Sequence, residues 1–398
     1  REALIERTQN NPGDLNYSEM LTWLFIQRKN FPAAFVHIKA LDKRSSENGR
    51  HLYNFGAVCV ENNDFRIARR AYKSVLDLGE ESPYFLRSQN ALLNVNFLEV
   101  TSNRNFNQDE LNEIVGSYQN VLNLYGKGKA TLPVILELAH IQAFYANQGE
   151  DALVLLNEAL LIRGLRPKEL AEVKMKLSDI HVLHGDVWEA SLLYMQVDGD
   201  FKFEPIGHEA KFKNARIFYY DGEFEFAQSQ LDVLKQSTTK LIANDALKLS
   251  LFILDNYGLD SNYIAMSLFA HADLLIEQHR YDEAFQLFDS LVKEYPAHSL
   301  GDEILLKKSY SYQLRGQWNK AISSLEDVMK YYPDDILADD ALYQLGDIYE
   351  NHLMNNEIAS EYYRKILFEY KGSLYTTEAR KRFQAIRSSD NNVPIEVN

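Results

Sequence analysis

An alanine returns along this chain at intervals close to 37 residues, and this spacing constrains the fold more than any other feature. The series consists of Ala34, Ala68, Ala152, Ala190, Ala227, Ala284, Ala321 and Ala359. A small residue lets two helix axes approach to about 8–10 Å where they cross, while larger residues one turn away fill the flanking space. Such a period predicts an array of helix pairs, each stabilised by its neighbours.

The segment before the alanine repeats as well. In five repeats an aromatic or apolar residue stands three positions before the alanine, in the segments NNDFRIA, HGDVWEA, DGEFEFA, QHRYDEA and RGQWNKA. Gly185, Gly222 and Gly316 occupy the helix-end position of three of these segments, where glycine adopts the left-handed conformation at least cost. Pro296 and Pro333, each preceded by tyrosine, predict helix ends because proline cannot continue a helix.

Residues 52–76, LYNFGAVCVENNDFRIARRAYKSVL, carry the pattern most completely. Its spaced residues are Leu52, Phe55, Gly56 and Cys59 on one predicted helix and Phe65, Ala68, Tyr72 and Val75 on the next. This resembles the tetratricopeptide repeat, W-x2-L-G-x2-Y…A-x3-F, with Cys59 at the usual aromatic site. Residues 261–387 are similar to repeats of bacterial envelope proteins, since Tyr-Pro precedes an Asp- and Ala-rich helix start. The resemblance implies an all-α fold, a right-handed superhelical solenoid of antiparallel helix pairs.

Two intervals of the series are longer than the rest, 84 residues between Ala68 and Ala152 and 57 residues between Ala227 and Ala284. The first leaves room for one degenerate helix pair at residues 82–101 and 107–125. The second predicts an extra helix at residues 240–257, a candidate elbow in the superhelix. We therefore expect an N-terminal array over residues 1–239, and then the extra helix, three repeats and a cap helix over residues 240–387.

The two ends of the sequence differ from the repeats. Residues 1–11 fit the second helix of a repeat whose first helix is missing, so we expect a chain that is truncated upstream. The segment LYTTEARKRFQAIR at residues 374–387 predicts a cap helix with Lys381, Arg382 and Arg387 exposed. Residues 388–398 are polar, and we expect a disordered tail there.

The charge of the chain opposes one class of function. Lys and Arg number 42 against 57 Asp and Glu, a formal net charge of −15. Nucleic-acid binding requires a basic face that displaces counterions, and the sequence has no basic cluster. No apolar run reaches the roughly 18–20 residues that a membrane span requires, so we expect no direct membrane insertion. The single cysteine, Cys59, excludes a disulfide within the chain.

Two groups of residues could be reactive or bind a metal, but their positions in the pattern favour a structural role. Cys59 falls on the core side of its helix, so we expect a buried, unreactive thiol rather than a nucleophile. His181 and His184 have the spacing of a metal pair, but His181 falls at the core position equivalent to Cys59. No third ligand lies at a suitable spacing.

Two further segments have alternative explanations. Asp334, Asp335, Asp339 and Asp340 suggest a cation site, yet they stand where a helix begins and acidic residues complement the helix dipole. The segment YGKGKA at residues 125–130 lacks the spacing of a phosphate-binding loop. We therefore expect no catalytic residue, no metal and no cofactor.

The resemblance implies that positions 2, 5, 9, 12 and 13 of each first helix line a concave groove. Seven repeats give 35 such positions, of which 11 are acidic, two basic and eight aromatic, so the groove is acidic and aromatic. The residues expected to bind a partner are Trp23, Tyr53, Asp179, Phe212, Arg216, Tyr219, Tyr220, Asp273, Glu303, Tyr310, Tyr343 and Asp347. For each aromatic residue among them, the alternative is that it packs in the core instead of binding a partner. The basic clamp with which some members of the family hold an acidic peptide lies at groove positions 5 and 9, and it is absent here because Arg216 alone is basic at those two positions.

These observations favour a non-catalytic scaffold that binds a basic or aromatic segment of a partner protein. The envelope resemblance implies the bacterial periplasm or cell envelope, with the cytoplasm as the alternative. A second reading is a regulatory or sensor module cut from a larger multidomain protein, which a truncated first repeat allows.

Overall fold

The computed structural model describes residues 2–10, 14–102, 106–236, 240–258, 263–296 and 298–390. Across those ranges every regular element is helical. The chain divides into two compact units, Arg1–Ile180 (unit 1) and His181–Asn398 (unit 2). The fold class is all-α, as the alanine spacing predicts.

Short turns connect most of the helices. The first ten are α1 (Glu2–Asn10), α2 (Leu15–Gln27), α3 (Phe31–Ser45), α4 (Arg50–Glu61), α5 (Phe65–Leu76), α6 (Phe85–Thr101), α7 (Gln108–Tyr125), α8 (Leu132–Phe144), α9 (Gly149–Leu160) and α10 (Pro167–His184). The remaining helices are α11 (Val187–Asp200), α12 (Pro205–Tyr220), α13 (Phe224–Leu234), α14 (Lys240–Ile253), α15 (Tyr263–Glu277), α16 (Tyr281–Glu294), α17 (Gly301–Leu314), α18 (Trp318–Tyr331), α19 (Ala338–Asn351), α20 (Asn356–Glu369) and α21 (Thr376–Asp390). A π-helical turn, Leu254–Gly258, follows α14.

Consecutive helices pack as antiparallel pairs within each unit. The pairs are α2 with α3, α4 with α5, α6 with α7 and α8 with α9 in unit 1, and α12 with α13, α15 with α16, α17 with α18 and α19 with α20 in unit 2. Neighbouring pairs pack side by side, as α5 does on α6 and α18 on α19. Each unit is therefore a solenoid of stacked helix pairs.

The eight alanines of the series lie in α3, α5, α9, α11, α13, α16, α18 and α20, and none has exposed surface. Each lies four residues after the residue that caps its helix, and its N–H donates to that residue's carbonyl oxygen over 3.0–3.1 Å. The small residue therefore occupies the same site in the first turn of each of these helices. This confirms the predicted crossing position.

Glycine on the first helix has the same steric role in two pairs. A Cβ atom on Gly56 would lie 2.5 Å from the Tyr72 ring, and one on Gly346 would lie 2.5 Å from the Tyr363 ring. Four residues separate α19 from α20, whereas three separate α4 from α5. The longer turn absorbs the one-residue shift between Gly346 and Ala359, and Ala359 remains fully buried.

The turns before the second helices contain a left-handed residue. Gly185, Gly222 and Gly316 have φ values of 93°, 84° and 66°, as predicted. In five other turns a non-glycine residue takes this conformation with φ between 52° and 59°, namely Lys29, Asn63, Asn147, His279 and Met354. Packing of the helix pair thus imposes the turn even where the residue does not favour it.

The degenerate pair consists of α6 and α7, close to the predicted boundaries. Leu111 stands four residues after the capping residue Asn107, where the other second helices carry alanine, and it is fully buried. The alanine series has a gap here because the residue at the crossing is larger, while its position in the helix is kept.

The predicted extra helix is α14 with its π-helical turn. Phe252 lies 6.1 Å from the Tyr219 ring of α12 and 5.1 Å from the Phe269 ring of α15 (centroid distances). Ala246 and Ile253 are buried in the same core cluster. Helix α14 therefore belongs to the core of unit 2, which begins at His181. The division that we expect between residues 239 and 240 stays a prediction.

The ends of several helices follow the prolines and the cap sequence. Helix α16 ends at Glu294 and α18 ends at Tyr331, just before the two Tyr-Pro pairs. Helix α21 extends to Asp390, so the first residues of the expected tail are helical, and residues 391–398 lie outside the described residues. In the part of the chain that the structure describes, no helix is both long and apolar enough to cross a bilayer.

We expect Ala321→Leu to destabilise unit 2 by about 1–3 kcal/mol, because a larger side chain overpacks a site without free space. Ser323→Leu is the matched control, since Ser323 is exposed on the same helix, and we expect it to change stability by less than about 0.5 kcal/mol. Urea unfolding followed by circular dichroism measures both. Equal destabilisation by the two substitutions would contradict the crossing role of the alanine.

Candidate functional site

Three of the predicted partner-binding residues lie in unit 1. Trp23, on α2, is 62% exposed. Tyr53, on α4, is half-buried, and its ring centroid lies 5.9 Å from that of Tyr72 and 5.6 Å from that of Tyr84. Asp179, on α10, is half-buried. Trp23 therefore offers an aromatic surface, whereas much of the Tyr53 ring already packs within the unit.

In unit 2 the predicted residues Arg216, Tyr220 and Asp273 come together with two further residues, Glu277 and Lys307. We define these five residues of α12, α15 and α17 as the polar cluster. The Arg216 guanidinium lies 2.6 Å from a Glu277 carboxylate oxygen and also donates to the Tyr220 hydroxyl. The Lys307 ammonium lies 2.6 Å from Asp273 Oδ1. Ion pairs therefore tie each first helix to the next.

Burial and neighbouring charges oppose each other in this polar cluster. Burial alone would lower the pKa of Arg216, but Tyr220, Glu277 and Asp273 raise it well above its usual range. Asp273 is 6% exposed, and its charge is compensated by Lys307. The acidic residues of this face are consequently neutralised in part by bases of the same unit.

The predicted aromatic residues of unit 2 differ in exposure. Tyr219 and Tyr220 are 1% and 6% exposed, and Tyr219 packs against Phe252 of α14. Phe212 is half-buried against the same core cluster. Tyr310, on α17, is 47% exposed next to the polar cluster. Tyr219 and Tyr220 therefore stabilise the packing of the helices, and Tyr310 offers an aromatic surface.

Tyr343 and Asp347 of α19 meet the cap helix α21. Arg382 Nη1 lies 2.6 Å from Asp347 Oδ1 and 3.2 Å from Glu350 Oε2. The Tyr343 ring stacks on Tyr375 with centroids 4.4 Å apart. The expectation that Arg382 is exposed is wrong, because its side chain is 25% exposed and binds two carboxylates, whereas Lys381 is 78% exposed as expected.

Glu303 lies on the buried side of the N-terminus of α17. Its Oε1 accepts a hydrogen bond from Asn256 Nδ2 over 3.1 Å, and the neighbouring Asp302 is 2% exposed. Burial, together with the Asp302 carboxylate, raises the pKa of Glu303. The hydrogen bond from Asn256 connects Glu303 on α17 to the turn after α14.

Two bases of these ion pairs, Lys307 and Arg382, lie outside the groove register, and another signal in the sequence would have found both. Lys307 follows Asp273 by 34 residues, and Arg382 follows Asp347 by 35 residues, close to one repeat length in each case. An acid on one first helix and a base one repeat later thus indicate a bond between neighbouring first helices.

The candidate nucleophile Cys59 and the candidate metal pair His181 and His184 lie in environments that suit a structural role. Cys59 is fully buried, and burial, with a contribution from Asp64, raises the pKa of its thiol to about 12, as expected for an unreactive cysteine. His181 Nδ1 lies 3.5 Å from Asp186 Oδ2, and His184 is exposed. Among the described residues no three His, Cys, Asp or Glu side chains group as metal ligands would.

The acidic helix start and the glycine-lysine segment are also accounted for. Asp340 lies in the first turn of α19 and accepts a hydrogen bond from the Tyr375 hydroxyl over 2.6 Å. In the glycine-lysine segment, Lys127 binds Glu158 over 2.5 Å and Lys129 lies 3.4 Å from Glu169. Both lysines are therefore engaged by carboxylates of the chain itself.

We expect Arg382→Met to loosen α21 by about 1–3 kcal/mol, because Asp347 and Glu350 lose a charged hydrogen-bond donor. Lys381→Met removes an exposed charge from the same helix, and we expect it to cost less than about 0.5 kcal/mol. Amide hydrogen exchange of α21 measures the difference. Unchanged exchange in Arg382→Met would mean that these ion pairs do not hold the cap helix.

We expect Glu303→Gln to change how stability depends on pH. Because the pKa of Glu303 is raised in the folded chain, the unfolded chain ionises this carboxyl at a lower pH than the folded chain does, and the parent loses stability as pH rises above the unfolded value. The variant should therefore gain stability relative to the parent as pH rises from 5 to 9, as measured by urea unfolding at each pH. Glu361→Gln, on the exposed surface of α20, is the control. A parallel pH profile for Glu303→Gln and the parent would contradict the buried proton.

Comparisons with known proteins give one family match in unit 2 and solved structures of low sequence identity. Residues 266–298 and 303–335 match the family model described as tetratricopeptide repeat. A tetratricopeptide repeat protein from Parabacteroides merdae is 14% identical over 85% of this chain and 99% of its own, with a TM-score of 0.27. A monomeric mutant of IFIT1 with Gppp-AAAA is 12% identical over 92% of this chain and 80% of its own, with a TM-score of 0.35. No curated protein has a significantly matching sequence.

The two matched segments cover α15 with α16 and α17 with α18, apart from short stretches at their ends. The same buried alanine in the first turn of the second helix recurs in the pairs on either side. Residues 266–335 thus carry two segments that match the tetratricopeptide repeat, within the all-helical unit 2.

Proposed function

We propose that this chain is a non-catalytic scaffold that binds a segment of a partner protein along the exposed residues of its first helices. Tetratricopeptide repeats support a protein-binding role, because stacked helix pairs stabilise one another and leave long surfaces for a partner. The aromatic side chains and the charge of these helices indicate what kind of partner segment binds there.

The observation that carries the proposal is the exposure of large aromatic side chains at register positions in both units. Trp23 is 62% exposed on α2 and Tyr310 is 47% exposed on α17. Exposed Trp and Tyr anchors supply a large share of the affinity in protein interfaces. Each of them therefore marks a binding surface on its own unit.

The charge of the chain favours a basic or aromatic partner segment. The net charge of −15 attracts cationic segments over a distance of several ångströms. At close range, the ion pairs of Arg216 with Glu277 and of Lys307 with Asp273 fix the carboxylates in place. A partner guanidinium or ammonium group then meets an ordered acceptor rather than a mobile one.

The place of action is proposed from the resemblance of residues 261–387 to envelope-type repeats. We propose the bacterial cell envelope, where the chain would hold components of an assembly together. A partner in the cytoplasm would instead support a regulatory module.

We expect Trp23→Ala with Tyr310→Ala to weaken partner binding about tenfold or more, because both substitutions remove aromatic anchors. Melting temperature should change little, since both side chains are largely exposed. Leu161→Ala with Leu374→Ala, at positions 81% and 96% exposed, is the matched control for lost apolar surface.

The measurement is a quantitative affinity capture from envelope and cytoplasmic fractions of the source organism, followed by titration with the purified partner. A partner from the envelope that the aromatic variant loses and the control keeps supports the proposal. A partner kept by the aromatic variant contradicts the binding surface, and a cytoplasmic partner contradicts the envelope. Tighter binding of an anionic than a cationic peptide of equal length contradicts the charge preference.

A further inference from the structure

The second helices of unit 2 carry exposed apolar side chains that neither the fold nor the proposed function uses. Trp188, Leu192 and Met195 on α11 are 50%, 55% and 54% exposed, and Phe226 and Val233 on α13 are 46% and 61% exposed. We call these five residues the second-helix patch. Exposed apolar side chains that lie together on a surface often mark a site of interaction with another molecule.

The positions of the residues form two parallel stripes. Residues 188, 192 and 195 are separated by four and three positions and therefore share one face of α11. Residues 226 and 233 are two turns apart on one face of α13. The side chains on the opposite faces, such as Tyr194 and Leu231, are buried in the helix pairs.

One ring of α12 makes the two stripes continuous. The Phe218 ring meets Trp188 edge to face, with centroids 5.8 Å apart, and lies 4.2 Å from the Phe226 ring. Trp188 and Phe226 thus contact the same half-buried phenylalanine from two neighbouring helices. The second-helix patch is therefore one apolar surface between α11 and α13.

The surroundings of the patch are acidic. In residues 185–236, all of which the structure describes, nine acidic side chains are exposed and Lys202 is the one exposed base, while the half-buried Lys213 and Lys235 pair with two of the acids, Glu209 and Asp232. Glu189 lies on α11 itself, and Glu223 and Glu225 lie at the start of α13. An apolar surface with an acidic rim is complementary to an apolar stripe flanked by Lys or Arg.

We propose that the second-helix patch binds a basic amphipathic helix of a partner protein. Such a helix lays its apolar stripe between α11 and α13 and places its bases against the acidic rim. The same rim disfavours a second copy of this chain, because like charges would face each other, and it disfavours an anionic lipid surface. The surface is separate from the first-helix anchors, so this proposal stands independently of the proposed function.

The test uses two labelled peptides of 18 residues that contain only leucine and lysine in equal composition. In one, leucine recurs with helical spacing and forms an apolar stripe; in the other, the order is scrambled so that no stripe forms. Fluorescence anisotropy at physiological salt measures binding to the purified chain. We expect the striped peptide to bind at least about tenfold more tightly than the scrambled one, because charge alone is common to both.

Two variants locate the binding. Leu192→Ser with Met195→Ser should weaken the striped peptide about tenfold or more, since it removes apolar anchors. Glu189→Lys with Glu225→Lys should weaken it by reversing two charges of the rim. The matched control, Leu124→Ser with Leu161→Ser, changes leucines that are 70% and 81% exposed in unit 1. It should bind like the parent, and circular dichroism should show all variants folded.

Several outcomes would overturn the proposal. Equal affinity for the two peptides would reduce the interaction to non-specific charge attraction. Loss of binding in Tyr310→Ala, with retention in the patch variant, would place the peptide on the first helices. A dimer in sedimentation analysis that the patch variant dissociates would assign the surface to a second copy. Flotation with phosphatidylglycerol vesicles that the patch variant loses would assign it to lipid.

Discussion

The close crossing of two helices at a residue without a bulky side chain is the contact on which both units depend. Eight alanines at these crossings have no exposed surface, and two glycines on first helices accept a tyrosine ring at a distance that no Cβ atom would tolerate. Each pair can bury its apolar face only against the next pair, so the crossing fixes both the pair and its place in the stack. The left-handed turns follow from the same packing, because Lys29, His279 and Met354 adopt a conformation that their side chains do not favour.

A second set of contacts connects the first helices to one another. Arg216 with Glu277, Lys307 with Asp273, and Arg382 with Asp347 bind α12 to α15, α15 to α17 and α19 to α21. These pairs order the carboxylates of the first helices and reduce their net negative charge. A partner of the first helices therefore meets fixed charges and exposed aromatic side chains together, which gives specificity in addition to long-range attraction. At the second-helix patch, Glu189, Glu223 and Glu225 border an apolar surface, and Asp232 pairs with Lys235.

Helix α14 is inserted between two repeats of unit 2, and it packs into the core of that unit. Helix α14 is longer than a turn but does not form a repeat. Its Phe252 ring packs against the rings of Tyr219 and Phe269, and both of these side chains are buried. Its terminal turn is held by Asn256, which bonds to Glu303 of α17. Tyr219, which we expected to line the groove, is a core residue for this reason, and Glu303 links α17 to the turn after α14 through Asn256.

The sequence by itself determined the helix pairs, their crossing alanines and the presence of an inserted helix, because these depend on periodicity and on the size of single residues. It also indicated which residues share the first-helix faces. Only the tertiary structure decided which of those residues are accessible. Tyr219 and Tyr310 have equivalent chemistry and neighbouring register positions, but one is covered by α14 and the other is not. Likewise Arg382 resembles the exposed Lys381 in sequence, and its burial follows from two carboxylates that α19 presents 32 and 35 residues earlier in the chain. Exposure and ion pairing depend on side chains that are distant in sequence, whereas the crossing alanines depend on the local pattern alone.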